Sequence, residues 1–431
     1  MDRTIGSALS LQLTGWAWVV LSSLLGLASF LGMLRGAPLP PGLRLAHAHG
    51  TLVGGILQIL VGLALASLEL TQPPAKRASR LLRFLGFNGA ALGLTLGSIQ
   101  RDSVIMIASG IVLAMALVPL LRPSLGILRT WSGWTTVHSF LVALAGLGLG
   151  ACFLVGILLA GRWYPEWHGL LRLGHLHSGV LVGLVLLGLA VIQVGIPLLV
   201  QRPLNSAGLA HAALLLIPAC VAGLLTGFLL TSVPIQLSAG AGLLLFLGLY
   251  AFTLLRTWSA GGSVGSAATD HLMLAVFFLV VTTVVGLGVG YNVLSNPPIM
   301  PYGTLHLIAY THMTFIGFLL HAAVGGLAFG LPALLSAHRV SSHKKRPAYQ
   351  AELERIMNRW RTPQIAALSF GTLGLGLVAS LTWNMPLGSP AVQAASWISF
   401  GLLLAGLTLV TVKLAQVVGT APSGDRTHHE H

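Results

Sequence analysis

Apolar runs long enough to cross a bilayer as a helix, about 17–25 residues, recur from one end of this chain to the other. Their approximate limits are 12–34, 45–70, 81–99, 103–121, 134–160, 169–200, 207–231, 236–256, 268–294, 303–336, 364–386 and 393–417. Polar and charged residues gather in the breaks between them. None of the runs alternates with the period of two that a half-buried strand would show. The pattern therefore predicts an all-α polytopic membrane protein with twelve spans, numbered here in chain order. The first run is too long for a signal-peptide core and lacks a clear small-residue cleavage site, so it counts as structure.

A second pattern lies on top of the first. Span 2 opens with LRLAHAHG, which carries His47 and His49. Span 6 opens with LRLGHLHSG, which carries His175 and His177, and runs on to Pro197. Span 10 contains AYTHMTFIG, with Tyr310 and His312, and runs on to Pro332. His49 and His177 are 128 residues apart, and His177 and His312 are 135 apart. Three near-equal units of about four spans each predict three four-helix arcs with pseudo-threefold symmetry, over about 1–130, 131–262 and 263–431. Counting forward to the proline or the glycine aligns the phrases. His47, His175 and Tyr310 take the first slot; His49, His177 and His312 take the second.

Composition sharpens the topology. Only 7% of residues are charged and the net charge is +14. With twelve spans, both termini lie on one side. Of 23 Lys and Arg, only Arg35, Arg44, Arg101, Arg162 and Arg172 fall on the other, which leaves 18 with the termini. The positive-inside rule then predicts cytoplasmic termini in an inner, bacterial or archaeal-type membrane. The same segregation explains the basic balance without a nucleic-acid partner. The basic segment 337–362 is the one sizeable cytoplasmic element, with AYQAELERIMNRW as a surface helix. Fifty-three glycines suit close helix packing in lipid. Cys152 and Cys220 both fall inside spans, and no C-x-x-C-H run indicates covalent haem.

Polar groups inside a bilayer are costly and need partners or a function. Residues two apart on a helix point about 200° apart around its axis, so each histidine pair faces two neighbours at one depth. If spans 2, 6 and 10 form a ring, adjacent members present facing imidazoles, which are ligands for haem iron, copper or zinc. His138, His211, His271 and His321 read instead as hydrogen-bonding packing residues. His168 and Glu166 lie in an aromatic outer loop. None of the nine acidic residues lies mid-span, so no carboxylate-lined proton channel is apparent. The tail THHEH is polar and offers at most a weak metal site.

Twelve spans in three arcs, with ligands in spans 2, 6 and 10, resemble subunit I of the haem–copper oxidase superfamily. The likeness is to its C-family cytochrome oxidases and bacterial nitric oxide reductases. LRLAHAHG resembles their helix 2 phrase. The run from GHLHSG through Arg202-Pro203 to His211 resembles their helix 6–7 segment, and Thr269-Asp270 through Tyr310-Thr311-His312 has their helix 9–10 spacing. The resemblance implies that His47 and His312 clamp a low-spin haem b. His306 stands either to contact a haem propionate or to cap its helix. The resemblance also implies copper at His177 and an active-site haem at the first slot of span 10. Here that slot is Tyr310, and Leu225 and Thr226 stand where the two further copper histidines belong. His177 and Tyr310 are the candidates for chemistry at a non-standard site. Threefold rotation of the His47/His312 pair also generates His49 with His175, a second bis-histidine site, so one haem or two are expected.

The expected function is respiratory electron transfer near the outer face, with reduction of oxygen or nitric oxide left open. The partners implied are a cytochrome c-type or quinol donor, a membrane or periplasmic subunit, and the lipid bilayer. Two other classes stay open. One is a metal or proton-coupled transporter using the histidines as a path; the other is a haem or nitric oxide sensor or assembly factor.

Overall fold

A computed structural model describes residues 7–37, 39–71, 77–128, 134–261, 265–295, 310–382 and 384–422. Twelve helices within them are long and apolar enough to span a membrane. In chain order they are α1 (Ser7–Leu34), α2 (43–71), α3 (Arg77–Gln100), α4 (Ser103–Leu128), α5 (Trp134–Trp163) and α6 (168–200). They continue with α7 (Ala207–Leu229), α8 (Val233–Ala260), α9 (Ala267–Leu294), α10 (310–339), α11 (Arg361–Leu381) and α12 (Pro390–Gly419). The apolar pattern is thus borne out as an all-α polytopic fold. Span 4 runs further than the hydropathy limit, to Leu128, because helix continues past the apolar run. The surface helix of the basic segment forms over Arg346–Asn358.

Three helices are buried and nine surround them. The apolar windows of α2, α6 and α10 are 72%, 67% and 83% buried, against at most 44% in any other helix. The three pack on one another, and the rest pack around them mostly in sequence order, α12 closing back onto α1. A helix apolar all round fits the centre. The outer helices turn Leu82, Val104, Met115 and Val118 outward, where lipid takes the place of protein neighbours.

The three central helices share an unusual backbone. Each changes from α to π geometry in its middle, over Gly50–Leu57, His177–Val185 and Met313–Leu320. Long π segments are rare and tend to mark functional positions. Each ends eight residues after a second-slot histidine: 57 follows 49, 185 follows 177, and 320 follows 312. The slot alignment read from the sequence is therefore repeated in the backbone.

Candidate metal centre

The histidine phrases stand where α2 and α6 enter the bundle from the face opposite the chain termini, with their equivalent in α10. His47 and His312 meet across α2 and α10. Their ring centres are 6.1 Å apart and their planes 14° from parallel. Two imidazoles joined end to end through one metal would stand roughly 6 Å apart, from metal–nitrogen bonds of about 2 Å and about 1.1 Å from nitrogen to ring centre. The spacing fits a shared metal.

Hydrogen bonds fix which nitrogen each ring offers. His47 Nδ1–H donates to the Ser22 carbonyl in α1 at 2.7 Å. His175 Nδ1–H donates to the Gly150 carbonyl in α5 at 2.8 Å. His177 Nδ1–H donates one turn back, to the Leu173 carbonyl, at 2.8 Å. A carbonyl can only accept, so each proton is on Nδ1. His49 Nδ1 lies 2.9 Å from Ser98 Oγ, whose own hydrogen is committed to the Leu94 carbonyl at 2.6 Å. His49 is therefore the donor there as well. All four rings keep Nε2 as the lone-pair nitrogen, with Nδ1 held by an oxygen acceptor as metal-bound histidines are held.

Close helix contacts set these geometries. A Cβ at Gly150 would come within 2.8 Å of Gly179 Cα, so α5 and α6 touch backbone to backbone beside His175. A Cβ at Gly26 would come within 2.6 Å of the His47 ring, so α1 lies flat against that imidazole. His49 and His175 are near enough for a charge on one to act on the other. These two are the pair that threefold rotation of His47 and His312 generates.

The remaining candidates are dispersed. His177 turns toward α7, its ring 5.0 Å from that of Phe228 in an edge contact. Thr226 is exposed, and its hydroxyl donates to its own helix at Ala222. The Tyr310 hydroxyl lies against Gly286 of α9, where a Cβ would stand 2.7 Å from the oxygen. His306 lies outside the described residues. Among the described residues, no three of His, Cys, Asp and Glu gather at one point. A pair of imidazoles leaves zinc short of four ligands. It completes an iron already held in the plane of a tetrapyrrole. The paired imidazoles and their 6.1 Å spacing suit haem.

Sequence reasoning missed the acceptors. Three are main-chain carbonyls, at Ser22, Gly150 and Leu173, which no residue type announces. Ser98 was findable only as a polar residue in an apolar span. It also took His271 and His321 separately, although the two bond to each other at 2.9 Å.

Fold and site together define a polytopic membrane protein with imidazoles on its central helices, His49 buried and His47, His175 and His312 half-buried. No protein-family model matches the chain, and a search of curated proteins finds no significant match.

Proposed function

We propose that this protein is a membrane cytochrome of b type, in which His47 and His312 would hold one haem and His49 and His175 a second. The observation that carries the reading is the near-parallel His47/His312 pair at 6.1 Å, with His47 Nδ1 tied to Ser22. Bound haem would supply one-electron transfer. The chain's own part is to hold the imidazoles in one tautomer and at one depth, and to exclude water with the packed α2, α6 and α10.

Both pairs stand at the same end of the central helices, so electrons would pass along the membrane plane rather than across it. With the termini cytoplasmic, as the charge bias supports, that plane is the outer one. A soluble cytochrome or a quinol would then deliver the electron, and a partner subunit would take it. His177 and Tyr310 face different neighbours, α7 and α9, which supports carriage of electrons over reduction of a gas at this chain alone.

The test is the visible spectrum of the purified protein with its haem content. Alanine at His47 or His312 is expected to remove one haem equivalent and its reduced α-band. A colourless wild-type protein, or full haem content in both variants, would overturn the reading.

A further inference from the structure

A second buried polar system crosses the half of the bundle nearer the termini. Lys413 of α12 is 0% exposed. Its ammonium donates to the Met357 carbonyl of the surface helix at 2.9 Å and to Gln364 Oε1 of α11 at 2.6 Å. Gln364 Nε2 lies 2.7 Å from His271 Nε2 in α9, and His271 Nδ1 lies 2.9 Å from His321 Nδ1 in α10. His271, His321 and Gln364 are at most 1% exposed.

The direction of every bond follows by elimination. An ammonium only donates, so it fixes Gln364 Oε1 as the acceptor and turns the amide NH2 toward His271. An amide NH2 only donates, so His271 Nε2 accepts and its proton is on Nδ1. That proton goes to His321 Nδ1, which leaves the His321 proton on Nε2, a buried nitrogen with no hydrogen-bond partner. Four residues from four helices therefore point their hydrogens one way, from the terminal face toward the centre.

Packing alone does not require this length. The residue equivalent to His321 in the first arc is Gln58, each nine after a second-slot histidine. Gln58 closes its bonds locally, accepting from Thr14 and donating to Asn88. The His321 chain instead runs outward until it lies under the surface helix. Beside its mouth stands the ion pair of Asp270 and Arg361 at 3.2 Å, about a third exposed.

We propose that Lys413, Gln364, His271 and His321 form a gated proton path from the terminal face to the centre of the bundle, with Gln364 as the gate. The step moves one proton and no electrons. Lys413 protonates His271 Nε2 once Gln364 has turned aside, and the resulting imidazolium passes its Nδ1 proton to His321 Nδ1. His321 Nε2 then gives its proton to water, and water at the terminal face recharges Lys413. A neutral amide does not relay protons readily, so Gln364 in its resting position blocks the path. Asp270, Arg361, Lys413 and the two histidines are the titratable and charged groups assigned to it.

The experiment is hydrogen–deuterium exchange of the ring N–H of His271 and His321, read by 15N NMR on the histidine-labelled protein in lipid. Gln364→Glu replaces the amide with a group that carries protons, and exchange is expected to quicken about tenfold, as about 1.4 kcal/mol off the barrier gives. Lys413→Met is expected to slow it by a similar factor. Rates within about twofold of wild type in Gln364→Glu, with the two ring signals unshifted, would overturn the path and leave the chain a packing device. Should Lys413→Met fail to fold, Gln364→Glu decides alone. Neither outcome depends on haem.

Discussion

Gly26 of α1 lies so close to His47 of α2 that a β-carbon would stand 2.6 Å from its Cε1 and 2.9 Å from its Nδ1. The ring cannot yield easily, because its Nδ1 is bonded to the Ser22 carbonyl on the same helix as Gly26. Gly26→Ala is therefore expected to cost about 1–3 kcal/mol as overpacking. It should also lower haem occupancy at the His47/His312 pair. Thermal unfolding and haem per polypeptide check the two effects; an alanine variant with wild-type values of both would show that the contact is slack.

The second pair makes a separate stoichiometric prediction. His175→Ala should take haem per polypeptide from two to one while leaving the His47/His312 band in place. A ratio of one in both proteins would mean that His49 and His175 hold no haem.

Ser98 offers a gentler probe of the same pair. Its oxygen accepts the His49 Nδ1 proton, which makes the imidazole more electron-rich and favours the oxidised state of a metal bound at Nε2. In Ser98→Ala the midpoint potential of one haem should rise and the other should hold, alongside a destabilisation of about 1–3 kcal/mol from the stranded N–H. Potentiometric titration followed in the visible range reads this directly. Two unmoved midpoints would place His49 outside the coordination sphere.

Tyr250 tests the frame rather than the site. Its hydroxyl, on α8, donates to the Leu189 carbonyl of α6 at 2.9 Å, and the residue is 0% exposed. Tyr250→Phe keeps the ring and removes one buried hydrogen bond, for an expected loss of about 0.5–1.5 kcal/mol. Haem content should not change. A drop in haem without a drop in melting temperature would count against a purely structural role.

Arg339 fastens the terminal face. Its guanidinium donates to the Val418 and Thr420 carbonyls, each at 2.7 Å, and to the Tyr349 hydroxyl at 3.0 Å. It thereby joins α10, the end of α12 and the surface helix. Arg339→Ala should expose 418–422 to limited proteolysis well before any spanning helix is cut. Unchanged cleavage would show that Tyr349, which also bonds Thr420 at 2.6 Å, holds the end by itself.

The sequence by itself determined the elements and the register of the repeat. Hydrophobic length alone sets a spanning helix, because a backbone in lipid must satisfy its own hydrogen bonds. The His-x-His phrases, Pro197 and Pro332 were enough to align three arcs, and the π segments fall on that alignment. Lys413 was visible as a lone charge in an apolar span. Only the tertiary structure decided which nitrogen each histidine offers, since the acceptors at Ser22 and Gly150 are carbonyls that every residue possesses. Only it joined Lys413 to Gln364, His271 and His321, residues from 271 to 413 on four separate helices. Local pattern specifies a helix and its faces; which polar groups meet across those faces depends on helix rotation and spacing, which close contacts such as Gly26 on His47 and Gly150 on Gly179 set in three dimensions.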